Sequence, residues 1–288
     1  MTADPFVTHR SLLFTVAYEM LGSAADAEDV VQESWLRWAD VDRARVTDPR
    51  AYLVRVVTRQ ALNRLRTLSR SREDYVGEWL PEPLLTGPDV AEDVELAESV
   101  SLAMLTVLET LGPTERAVFV LREVFDLPYG DIAAAVGKSP VAVRQIARRA
   151  RTHVAARRPR VQVSRAEQQA VVERFLVALR TGRVRELMAV MAPDVVLITD
   201  GGGLVPAALA PVRGVERVAP LLARAHRAAA AFGVAPVWLN GAPAVRLDFD
   251  DGPTAVGLAV EHGRITRIYA VRNPQKLSRL DAPAELAR

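Results

Sequence analysis

The sequence contains no cysteine, and this absence excludes disulfide bonds, thiolate metal ligands and cysteine nucleophiles. It also has no long apolar run, since no stretch approaches the roughly 20 residues that a helix needs to cross a membrane. The opening segment MTADPFVTHRSLLFTVAYEM lacks the basic start, the apolar centre and the small-residue cleavage site of a signal peptide. We therefore expect a cytoplasmic protein that does not associate with a membrane.

The charge is nearly balanced overall but is unevenly distributed along the chain. The 288 residues carry a formal net charge of only +2. Nine arginines and one acid lie within residues 43–72, nine acids and no base within 73–98, and seven arginines and no acid within 144–160. Two basic blocks on either side of an acidic one predict two contacts with a polyanion. Solvated helix faces are the alternative interpretation.

The chain is long enough for two or three domains, each with its own core. Helical periodicity runs from about residue 9 to 68 and again from about 94 to 156. Between these stretches, the segment YVGEWLPEPLLTGPDVAED contains prolines and glycines that exclude a continuous helix. Pro159 marks a second junction. We assign residues 1–72 to a first domain and residues 73–98 to an acidic linker that holds the two basic blocks apart. Residues 99–158 form a second helical domain and residues 164–288 a C-terminal domain in this assignment.

Two amphipathic helices are predicted in the first domain. The segment DAEDVVQESWLRW is acidic on one side and has a stripe on the other that we expect to be buried, formed by Ala27, Val30, Val31, Ser34, Trp35 and Trp38. The next segment, DPRAYLVRVVTRQALNRLRTL, has an apolar face and, opposite to it, a polar row of Arg55, Arg59, Asn63 and Arg66. Guanidinium and amide groups can hold phosphates and probe base edges, so this row predicts a nucleic-acid contact.

The segment following Pro113 has the features of a helix-turn-helix. A short helix ends at Gly137, a suitable left-handed terminator, and Ser139 caps the next helix, which has Pro140 in its first turn. The polar side of that helix carries Arg144, Arg148, Arg149 and Arg151. A helix of this type fits the major groove of DNA. The alternative is an arginine-rich surface helix in an all-α bundle.

The C-terminal segment opens with helices and ends with strands that are separated by turns at Asn240-Gly241 and His262-Gly263. This order predicts an α+β domain with an antiparallel meander. The residue types that act as a general base are represented by four candidates, which are Asp200, His226, Asp248 and Tyr269. Each has an ordinary structural explanation and no pair has a spacing that requires chemistry. We therefore predict no catalytic residue, no metal site and no cofactor.

The combination of motifs is more specific than any one of them. DAEDVVQESWLRW, DPRAYLVRVVTRQALNRLR and PTERAVFVLREVFDLPYGDIAAAVGKSPVAVRQIARRAR resemble the extracytoplasmic-function group of sigma factors across roughly the first 160 residues. The segments WLPEPL, DGGG and NPQKL further resemble the SigJ-like branch, whose members append a SnoaL-like domain with a cone-shaped, pocket-forming sheet. Gln275 departs from that branch, which has an acid there, and Asp131 stands where glutamate is common.

This resemblance implies a division of labour. Core RNA polymerase would be bound by the acidic helix through Asp26, Glu28, Asp29, Gln32, Glu33 and Trp35. The −10 element of promoter DNA would be read by Arg55, Arg59, Asn63 and Arg66. The −35 element would be read by Ser139, Arg144, Arg148, Arg149 and Arg151.

Three motifs outside the DNA-reading parts are predicted to dock the domains on one another. Leaving the apolar side chains of WLPEPL in water costs about 25 cal/mol per Å², so this segment is expected to pack on the C-terminal domain or on polymerase. The docking residues are Trp79, Leu80, Pro81, Glu82, Pro83, Leu84, Asp200, Gly201, Gly202, Gly203, Asn273, Pro274, Lys276 and Leu277. We expect the C-terminal domain to regulate the sigma factor in place of a separate anti-sigma protein.

Two other functions are each consistent with part of the sequence. A helix-turn-helix regulator with a ligand-binding sensor domain explains the Ser139 helix, but it leaves DAEDVVQESWLRW and the Arg55 row unexplained. The second alternative function is that of a SnoaL-like enzyme with a DNA-binding appendage. In either case, and in the sigma factor too, the pocket of the C-terminal domain is a candidate site for an unidentified small-molecule ligand.

Overall fold

The computed structural model describes residues 4–71, 74–157, 163–228 and 233–288, and describes only the backbone of 69–71 and 225–228. The predicted junction at Pro159 lies outside these residues. Within the described chain, none of the helices combines the length and the apolar character required to traverse a membrane. Helical elements occupy residues 5–155, and a part that combines helices and strands begins at residue 165; the exact domain bounds stay a prediction.

Three helices form the first domain. Helix α1 covers Pro5–Leu21, α2 covers Ala24–Ala39 and α3 covers Pro49–Ser71. Gly22 ends α1 with a φ of 68°, a left-handed conformation that costs glycine little. The apolar faces of all three helices are buried in one cluster. That cluster continues without a break into the helix-turn-helix domain.

The linker is partly helical and in the structure extends past residue 98 to Leu108, the end of the second of its two short helices. A 3-10 turn at Val90–Glu92 leads into α4, Val94–Val100, and α5, Leu102–Leu108. Ser101 separates the two short helices and caps α5 by accepting a hydrogen bond from the N–H of Met104 at 3.1 Å. The acidic segment is therefore an ordered connector rather than an extended spacer.

The second helical domain contains α6, Pro113–Phe119, followed by a π-helical turn at Val120–Val124, then α7, Tyr129–Val136, and α8, Pro140–Ala155. Gly137 has a φ of 69°, and the hydroxyl of Ser139 accepts a hydrogen bond from the N–H of Ala142 at 3.2 Å. The predicted left-handed stop and serine cap are confirmed, and they set α7 and α8 in a helix-turn-helix.

The C-terminal domain is α+β, as predicted. Its helices are α9, Arg165–Thr181, α10, Val184–Val190, and α11, Val215–Ala228. Its strands β1 to β6 cover Met191–Asp200, Val212–Arg213, Gly233–Leu239, Ala242–Phe249, Gly252–Glu261 and Arg264–Val271. The sheet order is β2-β1-β6-β5-β4-β3. Strands β3 to β6 form the expected antiparallel meander, while β1 lies parallel to β6.

The two faces of this sheet are covered differently. On the inner face, Val256, Leu258 and other apolar residues pack against α9 and α11. On the outer face, Ala255 and Ala259 pack with Leu80 and Leu102 of the linker. Gly257 also lies on this face, and a Cβ there would sit 2.6 Å from Leu102 Cδ1. Small residues in β5 therefore let the linker approach the sheet closely.

Candidate nucleic-acid interface and interdomain junctions

Helix α8 presents a basic surface because its apolar residues point inward. Val143, Ile146, Ala150 and Val154 are buried, as the periodicity predicts. Arg144, Arg148 and Arg149 are exposed. A row of exposed guanidinium groups on a capped helix is suited to the phosphates and base edges of a DNA groove.

Arg151 also lies on the polar side of α8, but it forms an ion pair within the domain. Its Nε is 3.2 Å from Oε1 of Glu123 in the π-helical turn of the same domain, and its side chain is 53% exposed. Its assignment to the −35 contact stays a prediction, and it has a competing structural role.

The side chains in the polar row of α3 are exposed, but one of them contacts the second helical domain. Arg55, Asn63 and Arg66 are exposed, and the guanidinium of Arg55 lies 5.5 Å from the centre of the Tyr52 ring. Arg59 Nη2 donates a hydrogen bond to the carbonyl of Ala134 in α7 at 2.8 Å. The domains of the two basic helices therefore touch through α3 and α7 in this conformation, while the separation of α3 from α8 by the acidic linker stays a prediction.

The acidic side of α2 is held in place by ion pairs. Arg64 lies 2.7 Å from Asp26 and 3.3 Å from Asp29, and its hydrogen bond to Asp26 raises the pKa of the guanidinium. Glu28 is 2.7 Å from Arg10 and 3.6 Å from Arg279 of the C-terminal domain. One of the predicted polymerase contacts thus already meets the C-terminal domain.

The remaining predicted polymerase contacts of α2 are accessible. Glu33 accepts a hydrogen bond from Gln60 at 3.1 Å, and Gln32 is exposed. Trp35 is 38% exposed, so its placement in the buried stripe was wrong. Its ring packs edge-on against Phe6 instead, with the ring centres 5.0 Å apart. An accessible tryptophan on an acidic helix suits a protein contact.

The segment after the first domain runs across the C-terminal domain, and we call residues 79–86 the docking segment. Its leucines, Leu80 and Leu84, are 1% and 3% exposed, which confirms that WLPEPL packs on a protein surface of this chain. Leu85 forms an antiparallel bridge with Leu239 at the end of β3. The docking segment therefore extends the edge of the C-terminal sheet.

Asp200 is the centre of the first junction. Its fully buried carboxylate lies 2.7 Å from Lys276 Nζ and accepts hydrogen bonds from the Tyr75 hydroxyl at 2.5 Å and the Leu80 N–H at 2.9 Å. Lys276 Nζ also donates to the Leu80 carbonyl at 2.6 Å and lies 3.1 Å from the centre of the Trp79 ring. Asp200 therefore has a structural role, since its carboxylate joins the linker to the domain.

The glycines that follow Asp200 allow this junction to close. Gly202 and Gly203 have φ values of 60° and 72°. A Cβ on Gly202 would overlap the side chain of Asn273, and one on Gly203 would press on Val76. Asn273 in turn donates to the Tyr75 hydroxyl at 2.8 Å. The structure brings the three motifs WLPEPL, DGGG and NPQKL together, as the sequence predicts.

Glu82 links the same segment to the first domain. Its carboxylate accepts hydrogen bonds from the N–H of Ala24 at 2.7 Å and of Ala25 at 3.3 Å, at the start of α2. Its carbonyl accepts one from the Tyr18 hydroxyl at 2.7 Å. Burial raises the pKa of Glu82, and the two N–H donors oppose that shift. A carboxylate at a helix N-terminus is favoured by the helix dipole.

Asn240 completes the first junction and was not singled out from the sequence. Its side chain donates to the Tyr18 hydroxyl at 2.6 Å and to the Val100 carbonyl at 2.9 Å, and accepts from the Leu84 N–H at 3.0 Å. Its φ of 53° belongs to the turn that the sequence did predict. The turn signal was visible, but its interdomain partners were not.

A second junction, also missed, joins the first domain to the helix-turn-helix. Arg116 is 1% exposed, and it donates to the Glu19 carbonyl at 2.9 Å and to the Glu109 carboxylate at 2.6 Å. The Glu19 carboxyl is fully buried and accepts one hydrogen bond, from Ser99 at 2.8 Å. Among the described residues, Glu19 Oε2 and Arg116 Nη2 have no hydrogen-bond partner. In the sequence, this junction is indicated only by a glutamate, Glu19, inside the apolar run VAYEML.

Burial controls the ionisation of this carboxyl. Desolvation raises the pKa of Glu19 to about 8, and the Ser99 hydrogen bond and the charge of Arg116 offset only part of that rise. A neutral carboxyl at this position is the form that the closed packing favours.

Two of the other candidate bases, Tyr269 and Asp248, lie among described residues. Tyr269 is 1% exposed, and burial raises the pKa of its hydroxyl. Asp248 lies 2.9 Å from Arg246, and the side chain of His226 lies outside the described residues. Nowhere in the described chain do three His, Asp or Glu side chains assemble into a group that would hold a metal ion.

Comparisons with known proteins agree with this architecture. Residues 6–71 match the family model Sigma-70 region 2, and residues 101–154 match Sigma-70, region 4. The chain is 35% identical over 293 residues to the ECF RNA polymerase sigma factor SigJ of Mycobacterium tuberculosis, covering 96% of this chain and 94% of the relative. It is also 35% identical to the probable ECF RNA polymerase sigma factor SigI of that organism, covering 95% and 94%.

A solved structure is similar over nearly the same length. The crystal structure of Mycobacterium tuberculosis SigJ superposes with a TM-score of 0.74 at 33% identity, covering 95% of this chain and 97% of that chain. The similarity therefore includes the C-terminal domain as well as the two helical ones.

Proposed function

Since this chain belongs to the family of extracytoplasmic-function sigma factors, which bind core RNA polymerase and promoter DNA to initiate transcription, we propose that its C-terminal domain holds it in a closed, inactive arrangement. The matches to both sigma regions do not favour the alternative of a helix-turn-helix regulator with a sensor domain. The C-terminal domain has no catalytic role in this proposal, and the protein acts in the cytoplasm, where polymerase and promoter meet.

The hydrogen bond between Arg59 and the Ala134 carbonyl supports the proposal most directly. It joins the helix assigned to the −10 element to the domain assigned to the −35 element. Those elements are about 25 base pairs apart by their names, or about 85 Å of B-form DNA at 3.4 Å per pair. Helix α3 itself is only about 35 Å long at 1.5 Å per residue. A molecule in which α3 touches α7 cannot reach both elements, so initiation requires opening.

The docking segment explains how the C-terminal domain favours the closed state. Through Asp200 and Asn240 it is fixed to the C-terminal sheet, and through Glu82 it is fixed to α1 and α2. Arg279 adds a contact to Glu28 on the acidic side of α2. Core polymerase must displace that arginine in order to use Glu28, so polymerase and the C-terminal domain compete for this part of α2.

The absence of cysteine gives a direct test, because two introduced cysteines are the only sites of thiol labelling. Asp40→Cys in the first domain and Lys138→Cys in the helix-turn-helix are both exposed positions. We expect the energy transfer between dyes at these positions to fall when core polymerase and promoter DNA are added. A second pair, Asp40→Cys with Arg213→Cys in the C-terminal domain, is expected to change little. Unchanged transfer at 40/138 in a complex that produces run-off transcript would disprove the proposal.

A further inference from the structure

A large cleft separates the helix-turn-helix domain from the outer face of the C-terminal sheet. Its volume is about 780 Å³, and helices α4 and α5 of the linker form its floor. Val154 and Ala155 of α8 line one wall, and β4, β5 and Tyr269 of β6 line the other. Small-molecule sites in proteins typically have volumes of about 300–1,000 Å³.

This cleft is not the pocket that the SnoaL-like resemblance leads one to expect. That pocket would lie between the sheet and its own helices, where Phe175, Leu176 and Val256 are packed in an apolar core. The cleft lies on the opposite side, at the boundary of three parts of the molecule. A ligand there would touch the helix-turn-helix, the linker and the C-terminal sheet together.

The walls of the cleft are apolar and lined by small residues. Ala97 and Ala103 of the linker line the cleft, as do Gly257 and Ala259 of β5. Val94, at the rim, is 68% exposed. Short side chains leave a smooth surface with room for an apolar body, and covering Val94 adds to the apolar area removed from water.

The charged groups of the cleft are already engaged. Arg151 pairs with Glu123 at 3.2 Å. Arg165 donates to the carbonyl of Pro88 and lies 4.8 Å from the centre of the Trp238 ring. Two arginines and two glutamates line the cleft in total, so its formal charge is zero. This balance favours an uncharged ligand over an acid or an amine.

One polar group remains available. The half-buried amide of Gln168 makes no hydrogen bond to any side chain or carbonyl in the described residues, and it offers both a donor and an acceptor. An uncharged ligand with a single carbonyl or hydroxyl group would find a partner there.

We propose that this cleft binds an uncharged, mostly apolar small molecule, and that the ligand stabilises the closed form and lowers transcription. The second part of this proposal, that the ligand lowers transcription, is its regulatory half and rests on the proposed function. A ligand that contacts both walls loses one of them when the helix-turn-helix moves away, so it binds the closed form more tightly and shifts the population toward it.

The uncharged dye N-phenyl-1-naphthylamine tests the site with the full chain. We expect saturable fluorescence enhancement with one dye per protein. Ala155→Trp fills the cleft from α8 at an exposed position and should weaken dye binding at least tenfold. Ala156→Trp is the matched control, because Ala156 is exposed, adjacent and outside the lining, and it should bind as the unmodified protein does. Equal binding by the two variants, or no saturable binding by the unmodified chain, would overturn the site.

The effect on closure is read separately. Core polymerase is expected to lower the energy transfer between dyes at positions 40 and 138. Saturating ligand should raise the polymerase concentration that is needed for this decrease at least threefold. No shift in that concentration would overturn the regulatory half. Failure of the dye to bind leaves the opening by polymerase intact, whereas failure of polymerase to open the chain leaves dye binding intact, so the two proposals fail independently.

Discussion

The C-terminal domain and the helix-turn-helix domain both pack on the first domain, but through different kinds of contact. The C-terminal junction is polar and directional, since Asp200, Asn240 and Glu82 each accept or donate several short hydrogen bonds in buried surroundings. The helix-turn-helix junction is a continuous apolar cluster with few polar contacts, of which Arg116 and Arg59 supply the main ones.

This difference indicates which junction opens. A buried polar group needs its partners in a fixed geometry, so parting such a junction leaves several groups unsatisfied. Apolar burial is non-directional, so an apolar surface of polymerase can replace the one that is lost. We expect the C-terminal domain to remain with the first domain when the helix-turn-helix moves away.

The largest effect is expected from Asp200→Ala, which breaks the polar junction. Lys276 would remain buried without its carboxylate, and Tyr75 and the Leu80 N–H would lose their acceptor. Removing one partner of a buried ion pair costs about 3–5 kcal/mol. Urea unfolding followed by tryptophan fluorescence measures this loss.

Asp251→Ala is the control for that measurement. Asp251 also pairs with an arginine, Arg272 at 2.8 Å, but its side chain is 46% exposed. Breaking an exposed pair costs about 1 kcal/mol or less. Equal losses for the two variants would show that the Asp200 cluster is no more than a surface contact, and the comparison of junctions would fail.

The sequence predicted what is encoded locally. Periodicity identified the buried faces of α3 and α8, and the glycine and serine at 137 and 139 identified the turn between α7 and α8. The apolar cost of exposing WLPEPL predicted that it docks on a surface. These features depend on a residue and its near neighbours in the chain, and so they can be recognised without a structure.

What the sequence did not reveal depends on partners that are distant in the chain. Arg59 was assigned to DNA, yet its bond is to a carbonyl 75 residues away. Asn240 was recognised as a turn residue, but its contact to Tyr18 spans 222 residues. Periodicity predicts which face of a helix is polar. It does not predict which other element of the fold contacts that face. The prediction that Trp35 is buried was wrong for a related reason. Helical spacing identifies an apolar stripe but does not show how wide its buried part is.

The pH dependence of the helix-turn-helix junction is tested by Glu19→Gln. The pKa of Glu19 is about 8 in the folded protein against 4.5 without burial. Because the folded state binds the proton more tightly, this group destabilises the fold progressively as pH rises from about 4.5 to about 8. Glutamine stays neutral, so the variant should gain stability over the unmodified protein on going from pH 5 to pH 8, by on the order of 3 kcal/mol.

Urea unfolding at the two pH values measures the gain, and Glu33→Gln, an exposed position in the same domain, is the control. The Glu33 variant should follow the unmodified protein at both pH values. If the Glu19 variant does so as well, the carboxyl is not desolvated in solution and the apolar description of this junction is incorrect.

The smallest effect is expected from Arg59→Ala, which removes one hydrogen bond at the edge of the helix-turn-helix junction. An exposed bond to a carbonyl contributes about 1 kcal/mol or less, so the transfer between dyes at 40 and 138 should fall slightly without polymerase. Arg55→Ala is the control, because that guanidinium lies over Tyr52 within its own domain and should leave the transfer unchanged. Both variants should lower the salt dependence of promoter binding by about one ion if both meet phosphates. An equal change in transfer for the two would mean that Arg59 does not distinguish the closed form, and the contact between α3 and α7 would then be held by apolar packing alone.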